Sequence, residues 1–185
     1  MKKITQTLLI SSLVISPFAM AATQGTAGTT STGTAQIGIT KGDGTRVSAL
    51  DDINFGVGNT APAAKQFDDI CIFSTTGGYS ITATSQGNSV GGVQFRMVDT
   101  ATNEFIRYFV EFRTDTASQN GTALSHNVTL GTAAAPLANA DTVSDDCTGG
   151  TNLNARLIYE VDAATFNAAT PSTYTDTLTV VVAPL

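Results

Sequence analysis

The sequence predicts an all-β sandwich of about immunoglobulin size. Its composition is rich in Thr, Gly, Ala, Val and Ser, with little charge and no Trp, and this favours strands joined by turns over helices. About eight or nine short segments carry strand patterns, separated by turn residues. No long segment carries the period of an amphipathic helix. A sandwich is favoured over a barrel by this spacing of strands and turns.

The first residues are typical of a secretory signal peptide, which we expect to occupy residues 1–21. Lys2 and Lys3 form a positive start, an apolar stretch follows, and Ala-Met-Ala at 19–21 is a small-x-small cleavage site. The apolar stretch of about a dozen residues is shorter than the roughly 20 that span a bilayer, so a retained anchor is the weaker alternative. We therefore expect an exported mature chain of roughly 160 residues, which suits one domain.

Residues 22–45 are predicted to form an N-terminal arm, and residues 46–185 the β-sandwich domain. Residues 22–34 are small and polar and offer no apolar face. The following "AQIGIT" alternates, with Ala35, Ile37 and Ile39 on one face, and this predicts a short strand. The "KGDG" that follows is a turn or hinge between that strand and the domain.

Strand patterns fill the first half of the domain. The apolar residues of "TRVSALDDINFG" do not hold a period of two, which predicts a bulge or bend near Asp51 and Asp52. The segments "DICIFS" and "YSITATS" flank a glycine-bearing loop, and we expect them to pair as a hairpin. "VQFRMVD" is a further strand. "EFIRYFVEF" has bulky residues on both faces, which indicates a central strand or one whose second face is covered.

The second half of the domain begins with a weaker strand, "LSHNVTL". Residues 131–150 are expected to form a long loop, with room for a helical turn, that carries Cys147. "LNARLIYEV" alternates cleanly and predicts a strand, and "DAATFNAATP" is expected to be a loop. The closing "PSTYTDTLTVVVAPL" is a strong strand pattern with Leu178, Val180 and Val182 on one face, and we expect no further strand after it.

Two cysteines, Cys71 and Cys147, remain after removal of the signal peptide. In an exported protein such a pair is expected to form a disulfide, and free thiols or metal ligands are the weaker alternatives because there is no CxxC motif and one histidine. A net charge of −6 without basic clusters argues against nucleic-acid binding. The sequence also has no basic amphipathic helix that would dock on anionic lipid.

The sequence offers little that supports an enzyme, a cofactor or a metal site. Ser125 and His126 are neighbours on a predicted strand and so face opposite sides, which rules them out as a dyad. The acidic pairs at 51–52, 68–69 and 145–146 lack the spacing of a calcium loop, and we interpret them as turn and strand-end aspartates. No glycine motif fits a phosphate loop. We therefore expect neither catalytic nor metal-binding residues, and no cofactor.

Four segments resemble the spore coat U domain family in that family's order. They are "LDDINFG", "CIFSTTGGYSITATSQGN", "VQFRMVDTATNEF" and "NLNARLIYEVDAATFNAATPSTYTDTLTVVV", and together they extend over about residues 47–182. The last contains a moderately specific motif, similar to the family's closing "GTYTDTVTVTV". The family usually has a cysteine in its first strand, where this chain has none, so that Cys71 is left with Cys147 as its partner.

The resemblance implies a pilus subunit of the archaic, Csu-type chaperone–usher class. Such subunits are immunoglobulin-like sandwiches that lack the final strand, and a periplasmic chaperone and then the N-terminal arm of the next subunit complete them. On this view Ala35, Ile37 and Ile39 are donor-strand residues, although the same stretch could be the domain's own first strand. Leu178, Val180 and Val182 would line the acceptor groove, and Tyr174 would match the tyrosine near the start of the penultimate immunoglobulin strand.

The resulting hypothesis is a structural pilin at the cell surface, exported through the periplasm and used in adhesion and biofilm formation. Its expected partners are identical or related subunits, a periplasmic chaperone and an outer-membrane usher. The main alternative is a secreted or tip-located adhesive module with a complete sandwich. An exported hydrolase is a weaker alternative, because the sequence lacks a catalytic set.

Overall fold

A computed structural model describes residues 27, 29–32, 39, 42–58, 60–62, 64–87 and 94–185. The chain divides into two units, Met1–Lys41 and Gly42–Leu185. In the first unit the six described residues are exposed. The second unit contains the strands β1 (Thr45–Ser48), β2 (Gln66–Ser74), β3 (Tyr79–Ser85), β4 (Phe95–Val98), β5 (Phe105–Arg113), β6 (Thr122–Ala123), β7 (Thr129–Leu130), β8 (Ala155–Val161) and β9 (Leu178–Pro184), and the short helices α1 (Cys147–Gly150) and α2 (Ala163–Ala168).

The strands form two antiparallel sheets. The larger has the order β1-β2-β8-β5-β4, and β6 continues the β4 edge by pairing with the far end of β5. The smaller has the order β7-β3-β9. The two layers share one apolar core, in which Tyr79 of the small sheet meets Phe112 of the large sheet edge-to-face with ring centroids 6.3 Å apart. The predicted all-β sandwich is therefore confirmed.

The alternation of the sequence matches the observed faces in the strands that form the core. In β8 the predicted residues Ala155, Leu157, Tyr159 and Val161 are buried. In β5 the residues Ile106, Tyr108, Val110 and Phe112 point inward, and β5 lies between β8 and the β4–β6 edge as a central strand. Its second face is not covered at Phe109, which is 54% exposed.

The predicted hairpin between "DICIFS" and "YSITATS" is wrong. β2 pairs with β1 and β8 in the large sheet, whereas β3 pairs with β7 and β9 in the small sheet. The turn at 75–78 therefore carries the chain from one layer to the other. A local turn motif could not distinguish these outcomes, because both strands bury an apolar face and either could find its partner at long range.

The first strand of the domain is shorter than predicted. β1 ends at Ser48, and Ala49 adopts a left-handed conformation with φ 61°. This conformation is costly for a residue with a Cβ, and it ends the β ladder two residues before the predicted bend at Asp51 and Asp52. Residues 50–58 then continue without strand pairing, with Ile53 and Phe55 packed against the core.

Two further elements differ from the predictions. "DAATFNAATP" was expected to be a loop but contains helix α2, whose N-cap Asp162 accepts a hydrogen bond from the amide of Ala164. "LSHNVTL" was expected to be one strand, but residues 124–128 separate the two-residue strands β6 and β7. Asn127 interrupts the pattern with a left-handed φ of 57°.

Cys71 and Cys147 form the expected disulfide, and both are fully buried. Cys71 lies on the outer face of β2, and the bond fixes the 131–150 loop and its helical turn against that face. With a sequence separation of 76 residues, the chain-entropy model gives about 4 kcal/mol of stabilisation.

Candidate functional site

The candidate site is the edge of β9 that does not pair with β3. β9 pairs antiparallel with β3, and two backbone hydrogen bonds fix which residues of β9 face that partner. The amide of Gln86 donates to the carbonyl oxygen of Thr177 (3.1 Å), and the amide of Leu185 donates to that of Gly78 (3.2 Å). The residues of β9 and its flank in hydrogen-bonded positions are therefore Thr177, Thr179, Val181 and Ala183. The peptide groups of the intervening residues therefore point away from β3. These residues are Leu178, Val180 and Val182.

The far edge of β9 is closed at one end and open at the other. At the closed end the Thr45 hydroxyl of β1 donates to the carbonyl oxygen of Val182 over 3.0 Å. At the open end, none of the described residues forms a backbone hydrogen bond with the outward-pointing peptide groups of Leu178 and Val180. These groups constitute an unpaired strand edge, which is the feature that accepts an added strand.

A groove of about 1120 Å³ runs along this open edge. One wall is the segment 50–58, and the other is formed by residues 166–178 together with the start of β9. The floor is the inner face of the large sheet, because the groove reaches residues that point into the core. These floor residues are Met97, Ile106, Tyr108, Tyr159 and Val161. The groove is thus a gap in the sandwich rather than a depression on its surface.

The side chains predicted for the acceptor groove lie on the inner face of β9. Leu178, Val180 and Val182 are partly buried and pack against the core, and the first two line the groove. Val181 between them points outward and is 54% exposed. Of the predicted donor residues, Ala35 and Ile37 lie outside the described residues, and Ile39 is 98% exposed.

Tyr174, just before β9, makes the hydrogen bonds of an immunoglobulin tyrosine corner. Its hydroxyl donates to the carbonyl oxygen of Thr170 over 2.8 Å and lies 2.9 Å from a carboxylate oxygen of Glu104. In immunoglobulin domains this tyrosine marks the penultimate strand. By this criterion β9 corresponds to the penultimate strand, and its open edge is where the last strand of a complete domain would pair.

A partly buried polar network holds the end of the groove near Leu178. Asp176 accepts hydrogen bonds from the Tyr108 hydroxyl (2.5 Å) and from the amide of Gly87 (2.8 Å). Burial, followed by the hydrogen bond to and the charge of Asp176, raises the pKa of Tyr108 far above its usual range. The phenol therefore remains protonated and donates to Asp176. Nearby, Ala101 N, Thr102 and Ser172 donate to Asp99 and lower its pKa.

Asp68 is an acid that sequence reasoning placed wrongly. It was interpreted as a turn or strand-end residue, but it lies inside β2 on the same face as Ile70 and Ile72, and it is 2% exposed. Burial raises its pKa to about 6, although a hydrogen bond from the amide of Asp51 (3.3 Å) partly opposes this. Extending the alternation of "DICIFS" one residue towards the N-terminus could have located it, because Asp68, Ile70 and Ile72 share one parity.

His126 takes part in packing and backbone bonding. Its Nδ1 accepts a hydrogen bond from the amide of Ser85 over 2.9 Å, and its ring meets the edge of Phe95 with centroids 6.2 Å apart. In the part of the chain that the structure describes, no three His, Cys, Asp or Glu side chains group as metal ligands would. Nor does any helix among the described residues have the length and apolar character needed to cross a membrane.

No family model and no curated protein matches this chain. A similar solved structure is a chain of the CsuC–CsuE complex of a chaperone and a tip adhesion subunit, captured before assembly, from the archaic chaperone–usher Csu pili of Acinetobacter baumannii. The similarity covers 76% of this chain and 39% of that chain, with 16% sequence identity and a TM-score of 0.39.

Proposed function

We propose that this protein is a structural subunit of a bacterial surface pilus, assembled by donor-strand exchange. The observation that carries the proposal is the unpaired edge of β9 beside a groove of about 1120 Å³ that opens into the core. A periplasmic chaperone would fill the groove first, and an outer-membrane usher would catalyse its replacement by the next subunit. The resulting fibre would serve adhesion and biofilm formation at the cell surface.

An added strand would satisfy both the polar and the apolar needs of the site. The peptide groups of Leu178 and Val180 would gain ladder hydrogen bonds, each worth about 0.5–1.5 kcal/mol net. Apolar side chains on alternate positions of the strand would enter the groove between the segment 50–58 and β9. Full burial of one Ile or Leu side chain contributes about 1.5–3 kcal/mol, so two or three such residues would dominate the binding energy.

The proposed occupant is the stretch 35–39 of a second copy of this chain. Ala35, Ile37 and Ile39 alternate with small or polar residues, which is the pattern that a strand needs when one of its faces enters a core. Ile39 is 98% exposed, so this side chain is available to a partner. The competing possibility, that the same stretch is the domain's own first strand, predicts a stable monomer instead of multimers.

The test compares two substitutions on opposite faces of the proposed donor strand. The full chain is expressed with its signal sequence in the periplasm of a bacterial host, and its multimers are analysed by gel filtration and by unheated denaturing gels. Ile37→Thr should abolish the ladder of multimers, because a polar side chain would enter an apolar groove. Gln36→Thr, which changes the opposite face, should leave the ladder intact.

The outcomes separate the two interpretations of the stretch. If Ile37→Thr forms multimers like the unsubstituted chain, the stretch 35–39 is not the donor strand. If instead the unsubstituted chain is a monomer at all concentrations and Ile37→Thr lowers its melting temperature, the stretch is the domain's own strand. Either result would overturn the proposal of donor-strand exchange through these residues.

A further inference from the structure

Asp68 is a buried acid with one unsatisfied oxygen, and it lies next to a residue that lines the groove. Its Oδ2 accepts one long hydrogen bond, 3.3 Å, from the amide of Asp51, and its Oδ1 has no partner among the described residues. Asp51 itself lines the groove, as does Tyr159, whose pKa is raised first by burial and then by the charge of the nearby Asp68. The carboxyl group therefore lies beside the groove wall, and it needs a donor that the described residues do not provide.

The surroundings of Asp68 are negative or neutral. The charged and titratable groups that act on it are Asp51 and Asp69, and the Tyr159 phenol also faces it. The guanidinium of Arg156 is engaged by Asp69 in a two-point ion pair. The described residues that line the groove include three aspartates but no lysine, arginine or histidine. A cation at this end of the groove would therefore have to come with the occupant.

This inference rests on the proposed function. If the donor strand presents Ala35, Ile37 and Ile39 inward, the next inward position at a period of two is residue 41, a lysine. We infer that Lys41 of the incoming copy extends into this end of the groove and donates to the free oxygen of Asp68. The aliphatic part of a lysine side chain can lie along apolar surface while its ammonium group reaches a carboxylate.

The pair would fix the register of the donor strand. Ile37 and Ile39 carry the same side chain two residues apart, so after a shift of two residues one isoleucine would still occupy the position of the other. The same shift would separate Lys41 from Asp68 and leave the buried carboxylate without a counterion, which is unfavourable. A single buried charge pair can thus reject wrong registers even where it adds little affinity.

The experiment is a double-mutant cycle on multimers of the full mature chain. Dissociation rates at raised temperature are measured on gels for the unsubstituted chain, Lys41→Met, Asp68→Asn and the double variant. Lys41→Met should raise the dissociation rate about tenfold, the scale of a close charge pair at an interface. In the Asp68→Asn background the same change should alter the rate less than about twofold. Lys41→Arg should retain most of the unsubstituted behaviour.

Asp52→Asn provides the matched control, because Asp52 lines the groove but is exposed. In that background Lys41→Met should keep its tenfold effect. Equal effects of Lys41→Met in the Asp68 and Asp68→Asn backgrounds, with multimers still forming, would overturn the pairing alone. If the unsubstituted chain forms no multimers, the proposed function fails and the pairing fails with it.

Discussion

Replacement of Asp68 by Asn should stabilise the domain at neutral pH. Burial raises the pKa of Asp68 from 3.8 to about 6 in the folded protein, which means that folding favours the protonated acid. The stability from this preference is fully present below about pH 4 and is lost as the pH rises through 6. At about 1.4 kcal/mol per pKa unit, the ionised carboxylate costs up to about 3 kcal/mol at pH 7.5.

The amide of Asn recovers only part of this cost. It can still accept the hydrogen bond from Asp51, but its NH₂ group would occupy the position where Oδ1 now has no partner. We therefore expect Asp68→Asn to gain about 1–2 kcal/mol at pH 7.5 and to gain nothing at pH 4.5, where the acid is already protonated. The assay is urea unfolding of monomeric protein, followed by circular dichroism at both pH values, with the variant and the unsubstituted chain measured side by side.

Asp52→Asn serves as the control in this assay as well, since an exposed substitution should shift the stability by less than about 0.5 kcal/mol at either pH. The reasoning is refuted if Asp68→Asn shifts the urea midpoint equally at pH 4.5 and 7.5. It is also refuted if the variant is less stable than the unsubstituted chain at pH 7.5, since that would mean the carboxylate has a favourable partner.

Two further predictions concern β9 and the disulfide. Val180→Ala should lower the unfolding free energy by about 1–2 kcal/mol, because Val180 packs against the core. Val181→Ala, on the exposed face, should lower it by less than about 0.5 kcal/mol. Equal urea midpoints for the two variants would contradict the assigned faces. Replacing both Cys71 and Cys147 by Ala should lower the unfolding free energy by about 4 kcal/mol relative to the unsubstituted chain in oxidising buffer. The difference should vanish when the disulfide of the unsubstituted chain is reduced.

The parts of the fold that could be predicted from sequence are those that a short-range pattern determines. A period of two placed Leu157, Tyr159 and Val161 on the buried face of β8, and it gave Leu178, Val180 and Val182 one face of β9. Both strands are flanked by turn residues, and their apolar residues keep a period of two, so the inward face follows directly from alternation. The disulfide was predictable because a chain that begins with a secretory signal pattern and has two later cysteines is expected to pair them.

The failures arise where distant residues decide the structure. Ala49 ends β1 in a left-handed conformation that no local rule assigns to alanine. The turn at 75–78 joins two sheets because β2 and β3 find partners far along the chain. The groove wall at 50–58 and the burial of Asp68 also depend on packing between residues far apart in the chain. For this reason the sequence pattern assigned Asp68 to a turn. α2 was missed although Asp162 gave a capping signal, because the helix spans six residues.

The lengths of the sheet edges have a consequence for how copies could join. Among the described strands, the edges formed by β1 and β4 span four residues each, and those formed by β6 and β7 span two, whereas β9 spans seven. Short edges are poor templates for pairing, whereas the open part of the β9 edge has the groove beside it, so on the proposed function each copy offers one acceptor. If each copy also offers one donor strand, its valence is two, and the two sites differ. Such a unit joins head to tail without branching, and the assembly that it builds is a polar thread with a distinct free end.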